Sequence, residues 1–408
     1  MQDIIVEKPY KFVKPTRTTF WSSVLKAIHF PDWVLRKFEK VTSHELRGIA
    51  HLHDSLRAGH GILLAPNHSR SADPPAMHWV AAGAKCHLYG MASWHLYQSV
   101  IQGWVLKSMG AFSVNREGVD RAAVNLAIEI LEKAERPLVV FPEGATTRTN
   151  DRLGPLLDGI AFIARAGAKK RAKHTPGGKV VVHPIAIKYL FQGDIRTVLD
   201  ETLTRIEQRL SWRPQRELDF LPRIVKAGSA LLALKEIEHL GEAQTGSLAE
   251  RMDRMTDFLL HPHEREWLGE AGAGPAFLRV KALRTKLLPD MVEGRVAPAE
   301  RERRWKILAD IYLAQQIGAY PPDYLLSRPS NDRLLEIVEK FEEDLTDITL
   351  PHGPTKAIIE VGPAIEVSTE RDRKATNDPL MSRLEHELQT MLDRLALESP
   401  LYEAQGKL

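Results

Sequence analysis

Between residues 58 and 190 short apolar runs alternate with stretches of helical period. Gly61-Ile-Leu-Leu-Ala65 reads as a buried strand and Leu88-Tyr-Gly-Met-Ala92 as a weaker one. Ala111-Phe-Ser-Val114, Pro137-Leu-Val-Val-Phe141 and Lys179-Val-Val-Val-His-Pro-Ile-Ala-Ile187 follow. Helical patterns fill the gaps at 74–83, 95–108, 118–135 and 155–167. Strand, helix, strand in repetition predicts an α/β fold, a central sheet flanked by helices on both faces.

The rest of the chain is organised around that core. Residues 18–40, TTFWSSVLKAIHFPDWVLRKFEK, predict helices on either side of Pro31. Phe20, Trp21, Leu25, Ile28, Phe30, Trp33, Val34 and Leu35 would face either a bilayer or the protein body. From 195 to 345 Arg, Glu, Leu and Ala recur at helical spacing without strands, broken at Ala271-Gly-Ala-Gly-Pro275 and Tyr320-Pro-Pro322. Lys356-Ala-Ile-Ile-Glu-Val361 and Ala364-Ile-Glu-Val367 are strand candidates around a Gly-Pro turn, and 378–397 is a helix with Leu380, Leu384, Leu388, Met391, Leu392 and Leu395 on one stripe. The predicted division is an N-terminal helical segment (1–57), an α/β core (58–194), a helical insertion (195–350), and closing strands and helix of the core (351–408). No internal repeat is expected.

Composition narrows the partners. Of 408 residues 43% are hydrophobic and 27% charged, which excludes a disordered or disulfide-rich chain. Lys and Arg number 56 against 53 Asp and Glu, a net charge of +3, so no nucleic-acid partner is expected. Cys86 stands alone, which forbids an intrachain disulfide and suits a cytoplasmic setting. The N-terminus, MQDIIVEKPYKFVK, lacks the apolar core of a signal peptide. Cys86 to Leu106 holds no formally charged residue, but His87, Ser93, His95, Gln98, Ser99 and Gln102 interrupt it, so it reads as buried or membrane-touching rather than spanning.

Candidate chemistry sits where strands end. In Ala65-Pro-Asn-His-Ser-Arg-Ser-Ala-Asp-Pro-Pro75, His68 and Asp73 stand on the turn from a strand into a helix. An imidazole there can take a proton from an alcohol while a carboxylate fixes its tautomer; a solvated surface loop is the plainer alternative. Phe141-Pro-Glu-Gly144 again follows a strand, with Thr146, Thr147 and Arg148 offering donors suited to phosphate. Gly144 would let backbone amides approach a ligand, and Glu143 needs a partner. Arg116 follows the strand 111–114 and could bind an anionic head group. Pro184 within an apolar strand implies an edge, bulge or strand end. His261 and His263 lack the helical spacing of a metal pair.

In this order the motifs resemble the four sequence blocks of the glycerolipid acyltransferase superfamily, the lysophosphatidate and glycerol-3-phosphate acyltransferases, across roughly 60–190. The resemblance implies a mixed sheet; the helical insertion before the last strand and C-terminal helix is read from the residues themselves and is not part of the usual short family member. It implies that His68 is the general base and Asp73 its orienting partner, with Asn67 in the same block. It assigns Arg116 to the acceptor's phosphate, Glu143 and Gly144 with Thr146 and Arg148 to acceptor binding, and the block holding Pro184 to the neighbourhood of the acyl donor. Two positions depart from the family pattern: Thr146 stands where Phe-Pro-Glu-Gly-Thr-Arg-Ser-Arg has its first arginine, and Ser113 where an aromatic is common. Both bear on the head group more than on the reaction.

The function so implied is transfer of a fatty acyl group from acyl-CoA or an acyl carrier protein to a hydroxyl of a glycerol-phosphate lipid, first of all lysophosphatidate to phosphatidate. Glycerol 3-phosphate or another alcohol is the alternative acceptor. A non-catalytic lipid-binding module is the alternative of another class, and a metal-dependent hydrolase with His68 and Asp73 as ligands a third. The resemblance implies no metal and no cofactor beyond the acyl donor. A peripheral position on the cytoplasmic face of a membrane is expected, because the acyl substrate must come from or return to a bilayer.

Overall fold

A computed structural model describes residues 8–321, 323–370 and 378–404. Pro322, in the expected break after Tyr320, and parts of both expected terminal segments lie outside the described residues. The chain forms two compact units, Tyr10–Gly193 with Gly353–Ser399, and Asp194–His352 with 8–9 and 400–404.

The first unit is an α/β body. Its sheet holds β1 Val41–Arg47, β2 Gly61–Pro66, β3 Tyr89–Ser93, β4 Ala111–Val114, β5 Leu138–Val139, β6 Val180–Phe191, β7 Thr355–Val361 and β8 Ile365–Glu366. The order is β1-β7-β6-β2-β5-β3-β4, with β8 also on β6. Strands β2 to β6 pair in parallel, whereas β7 and β8 run antiparallel to β6, so the sheet is mixed. Strand alternation sends Leu63 and Ala65 to one face, under helices Arg121–Lys133, Gly159–His174 and Pro379–Ala396. Ile62 and Leu64 go to the other, under Phe30–Phe38, Ile49–Arg57 and Asp73–Gly83.

Three strands depart from expectation. The segment 1–57, read as helical, contains β1 after helices Phe20–Ala27 and Phe30–Phe38. Its sequence, VTSHELR, has no apolar run because β1 is one edge of the sheet and residues 42–44 are exposed. β5 keeps only two of its expected residues, because the chain turns at Phe141, where Gly144 N–H donates to the Phe141 carbonyl. β6 runs through Pro184 although it is a central strand between β7 and β2, not an edge. The missing N–H falls where β7 has ended, opposite Ile185, and β8 has not begun, opposite Val182. The chain crosses that gap as Gly362-Pro-Ala364, and Gly362 N–H donates to the Pro184 carbonyl at 2.8 Å.

Of the residues weighed between lipid and body, Leu25 and Leu35 are buried, while Phe20, Trp21, Ile28 and Trp33 are exposed. Among the described residues no helix is long and apolar enough to cross a membrane.

The second unit is helical: Ile195–Arg209, Phe220–Leu240, Leu248–Leu268, Ala276–Val292, Pro298–Gly318, Tyr324–Ser327 and Asn331–Thr346. It corrects the expectation of no internal repeat. Glu207, Glu236 and Glu264, all buried, each take a two-pronged hydrogen bond from an arginine of the next helix: Arg223, Arg251 and Arg279. Each glutamate also accepts a backbone N–H of the intervening loop, from Gln215, Gln244 and Gly272 at 3.0, 3.0 and 2.8 Å. The third arginine nitrogen reaches Asp200, Ser229 or Asp257. The sequences Leu240-Gly-Glu-Ala243 and Leu268-Gly-Glu-Ala271 mark equivalent helix ends, where Gly241 and Gly269 cap with φ of 86° and 94°. Arg304 occupies the same offset from Gly294, but Pro289 stands where the glutamate would be, and Arg304 bonds the Leu287 carbonyl and Glu300 instead.

Candidate functional site

β6 extends beyond the end of β2, leaving backbone groups at 187 and 189 to be satisfied. Two asparagines do this, since a primary amide is donor and acceptor at once. Asn67 accepts the Ile187 N–H at 2.7 Å and donates to its carbonyl at 3.0 Å. Asn150 treats Tyr189 likewise, at 2.7 and 2.6 Å. Asn67, assigned to substrate by the resemblance, is buried and straps β6 to the loop after β2.

That strap presents the next residue. His68 Nδ1 donates to Asp73 Oδ2 at 2.9 Å. The same oxygen accepts Arg70 N–H at 2.8 Å, and Oδ1 accepts the Tyr189 hydroxyl at 2.7 Å. Burial, with the Asp73 charge beside it, holds the Tyr189 phenol protonated far above its ordinary range, so it remains a donor. The Asp73 side chain is fully covered, whereas His68 keeps 17% of its side-chain surface. With Nδ1 engaged, Nε2 is the nitrogen left to take a proton. The Phe141 ring lies 4.4 Å from the imidazole, centroid to centroid.

The loop after β5 fixes the peptide of His68 from both sides. Glu143 Oε1 accepts the His68 N–H at 2.6 Å, and the His68 carbonyl accepts Thr147 N–H at 2.8 Å and its hydroxyl at 3.1 Å. Glu143 Oε2 takes Gly154 N–H at 2.7 Å. Burial pushes the Glu143 carboxyl up to about 8, against the pull of those two amides. Gly144 has φ of 70°, and a Cβ there would lie 2.4 Å from Leu157, so the turn requires glycine. The two motifs singled out in the sequence thus meet through backbone, and Glu143 is buried under His68 rather than turned to a ligand.

Charge gathers on the same loop. Ser71, between His68 and Asp73, donates to Glu39 at 3.0 Å. Burial raises the Glu39 pKa, and the Arg70 and Arg148 charges oppose the rise. Arg70 also stacks over the Tyr189 ring at 5.3 Å. Arg148 is half-buried with a left-handed φ of 62°, and Thr146 is exposed. Arg116 lies beyond β4, three strands along from β2. Pro184 is buried inside β6, its ring over Gly362. Its neighbour His183 is also buried, bonded to the Gly362 carbonyl at 2.8 Å and Ser55 at 2.9 Å. His261 and His263 face different partners, Asp257 and Asp310.

The structure therefore joins Asn67, His68, Asp73, Glu143 and Gly144, with Arg148 on the same electrostatic patch as Glu39. Sequence reasoning missed Tyr189, Asn150, Glu39 and Arg70, and gave Thr147 no role at the histidine. Tyr189 was in reach: it continues the alternation of Ile185 and Ile187 two positions past the expected strand end.

A histidine–aspartate pair at the carboxyl end of a central strand, braced by the loop of the neighbouring strand, lies where open α/β sheets place their ligand sites. Residues 48–188 match the family model described as Acyltransferase. The 1-acyl-sn-glycerol-3-phosphate acyltransferase of Streptococcus pneumoniae (strain ATCC BAA-255 / R6) is 28% identical over 189 residues, 42% of this chain and 67% of that protein. The likeness to acyltransferases therefore falls on the segment that carries His68, Asp73, Glu143 and Pro184.

Proposed function

We propose that this domain moves a fatty acyl group from a thioester donor, acyl-CoA or an acyl carrier protein, to a hydroxyl of a glycerol-phosphate lipid, with lysophosphatidate converted to phosphatidate. The observation that carries this is the His68–Asp73 pair at 2.9 Å, with its imidazole partly open to solvent and its carboxylate enclosed. Similarity to the pneumococcal 1-acyl-sn-glycerol-3-phosphate acyltransferase supports the choice of acceptor.

His68 Nε2 takes the acceptor hydroxyl's proton as that oxygen attacks the thioester carbonyl. The tetrahedral intermediate expels the thiolate, which recovers the proton from the imidazolium. Asp73 holds Nδ1–H throughout and stabilises the imidazolium. On this reading Arg116, Thr146 and Arg148 receive the acceptor's phosphate, and no cofactor besides the acyl donor is used. Acceptor and product are bilayer lipids, so the protein would work as a peripheral protein on the cytoplasmic face of a membrane.

The test is labelled acyl-CoA offered with lysophosphatidate, glycerol 3-phosphate and a neutral alcohol in parallel. Transfer to lysophosphatidate should dominate, and His68→Ala should lower kcat by about 10²–10⁴ while the fold persists. Unchanged transfer by His68→Ala rejects the base assignment, and preference for glycerol 3-phosphate moves the acceptor.

A further inference from the structure

The first unit concentrates exposed apolar side chains on short helices. On Val100–Ser108, Val100 is 87% and Ile101 77% exposed, and Trp104 stands on the same helical face. That face runs into the helix Phe20–Ala27. Trp21 packs edge-on against Trp104 with ring centroids 5.3 Å apart, and Phe20 against Trp21 at 5.2 Å. The residues therefore form one continuous aromatic and aliphatic patch, not scattered surface positions.

The stretches of chain that carry these two helices are net basic. Residues 8–40 hold eight Lys and Arg against two acids, Asp32 and Glu39, and residues 85–116 hold Lys85, Lys107 and Arg116 with no acid. Together these stretches exceed the whole chain's +3, so the remainder is net acidic. A second copy of the same face would bring like charges together, which disfavours self-association. Aliphatic tips flanked by tryptophans, carried on net basic stretches of chain, match the layered chemistry of an anionic bilayer: acyl chains, interface, charged headgroups.

We propose that Phe20–Ala27 and Val100–Ser108 form a composite face that docks on an anionic lipid bilayer. Val100 and Ile101 enter the acyl region, and Trp21 and Trp104 sit at the interface. This extends the acyltransferase reading, whose substrates are bilayer lipids, by naming the surface that meets them.

The experiment is co-sedimentation of the full chain with vesicles of phosphatidylcholine alone and with added phosphatidylglycerol. The parent protein should bind the mixed vesicles, and bind the neutral ones more weakly. A Val100→Ser, Ile101→Ser double variant should lose about tenfold or more of its partition onto mixed vesicles. Its thermal unfolding should be unchanged, because both side chains are already in water. Its acyl transfer to a water-soluble short-chain lysophosphatidate should also be unchanged. Equal partition of variant and parent overturns the proposal, as does failure of the parent to bind anionic vesicles or capture of an acidic carrier protein in their place. The readout is binding, so a parent protein that binds vesicles but transfers no acyl group keeps this face and removes the acyltransferase reading.

Discussion

Glu143 accepts the backbone N–H of His68 at 2.6 Å, so the glutamate holds the catalytic candidate by its peptide and not by its ring. Burial lifts this carboxyl from its ordinary 4.5 to about 8. The folded chain keeps a proton there that the unfolded chain releases, so stability from this group is complete below 4.5 and is lost as pH rises through 8. Within that window the slope approaches ~1 kcal/mol per pH unit. Glu143→Gln cannot titrate. Urea unfolding at about pH 5 and about pH 9 should show the parent losing stability that the variant does not. A gap between the two proteins that stays constant with pH would contradict the burial argument.

Tyr189 supplies the third donor on Asp73, through a hydroxyl 2.7 Å from Oδ1. Tyr189→Phe keeps the ring and its contact with Arg70 but leaves a buried carboxylate oxygen without that donor. Stability should fall by about 1–3 kcal/mol. On the proposed mechanism kcat should fall about tenfold with the acceptor KM little changed, because the defect lies in orientation of the base. A rise in KM at constant kcat would place Tyr189 in acceptor binding instead.

The arginines should separate from the base in the opposite way. Arg148→Gln and Arg116→Gln remove a guanidinium suited to phosphate and leave His68 untouched. Each should raise the KM for lysophosphatidate about tenfold or more and spare a neutral alcohol acceptor. Arg148 shares its electrostatic surroundings with Glu39 and Arg70, so Glu39→Gln should move the same KM downward by leaving both cations less neutralised. Identical effects on charged and neutral acceptors would remove the phosphate role.

What the sequence disclosed follows from what each position must satisfy. Apolar strands covered on both faces are visible as runs, hence β2 and β6; β1 lies at an edge with polar residues, and nothing in its pattern marks it. Pro184 misled because the rule against central prolines assumes an unbroken partner strand, and here β7 gives way to β8. His68 and Asp73 were legible because both act within one turn. Asn67 and Glu143 were legible as positions but not as roles: both bond backbone groups brought close only by the sheet, at Ile187 and His68. The repeat of the helical unit escaped notice because it consists of a few buried polar residues spaced across helix ends, which apolar periodicity does not report.

That repeat makes its own prediction. Glu236 is fully buried, and Arg251 with the Gln244 amide outweighs the burial to keep it ionised below its ordinary range. Glu236→Ala leaves the buried Arg251 guanidinium without its carboxylate and a loop N–H without its acceptor, at a cost of about 3–5 kcal/mol. Removing both charges as Glu236→Leu with Arg251→Met should recover most of that loss, since the pair's attraction is largely offset by its desolvation. Arg304 provides the contrast. Its glutamate position is Pro289, and it rests on a backbone carbonyl and Glu300. Arg304→Met should therefore cost only about 1 kcal/mol. Hydrogen exchange in helix Leu248–Leu268 across these variants reads the difference. If Glu236→Ala and the double substitution open this helix equally, the clamps are not paired units and the repeat has no energetic meaning.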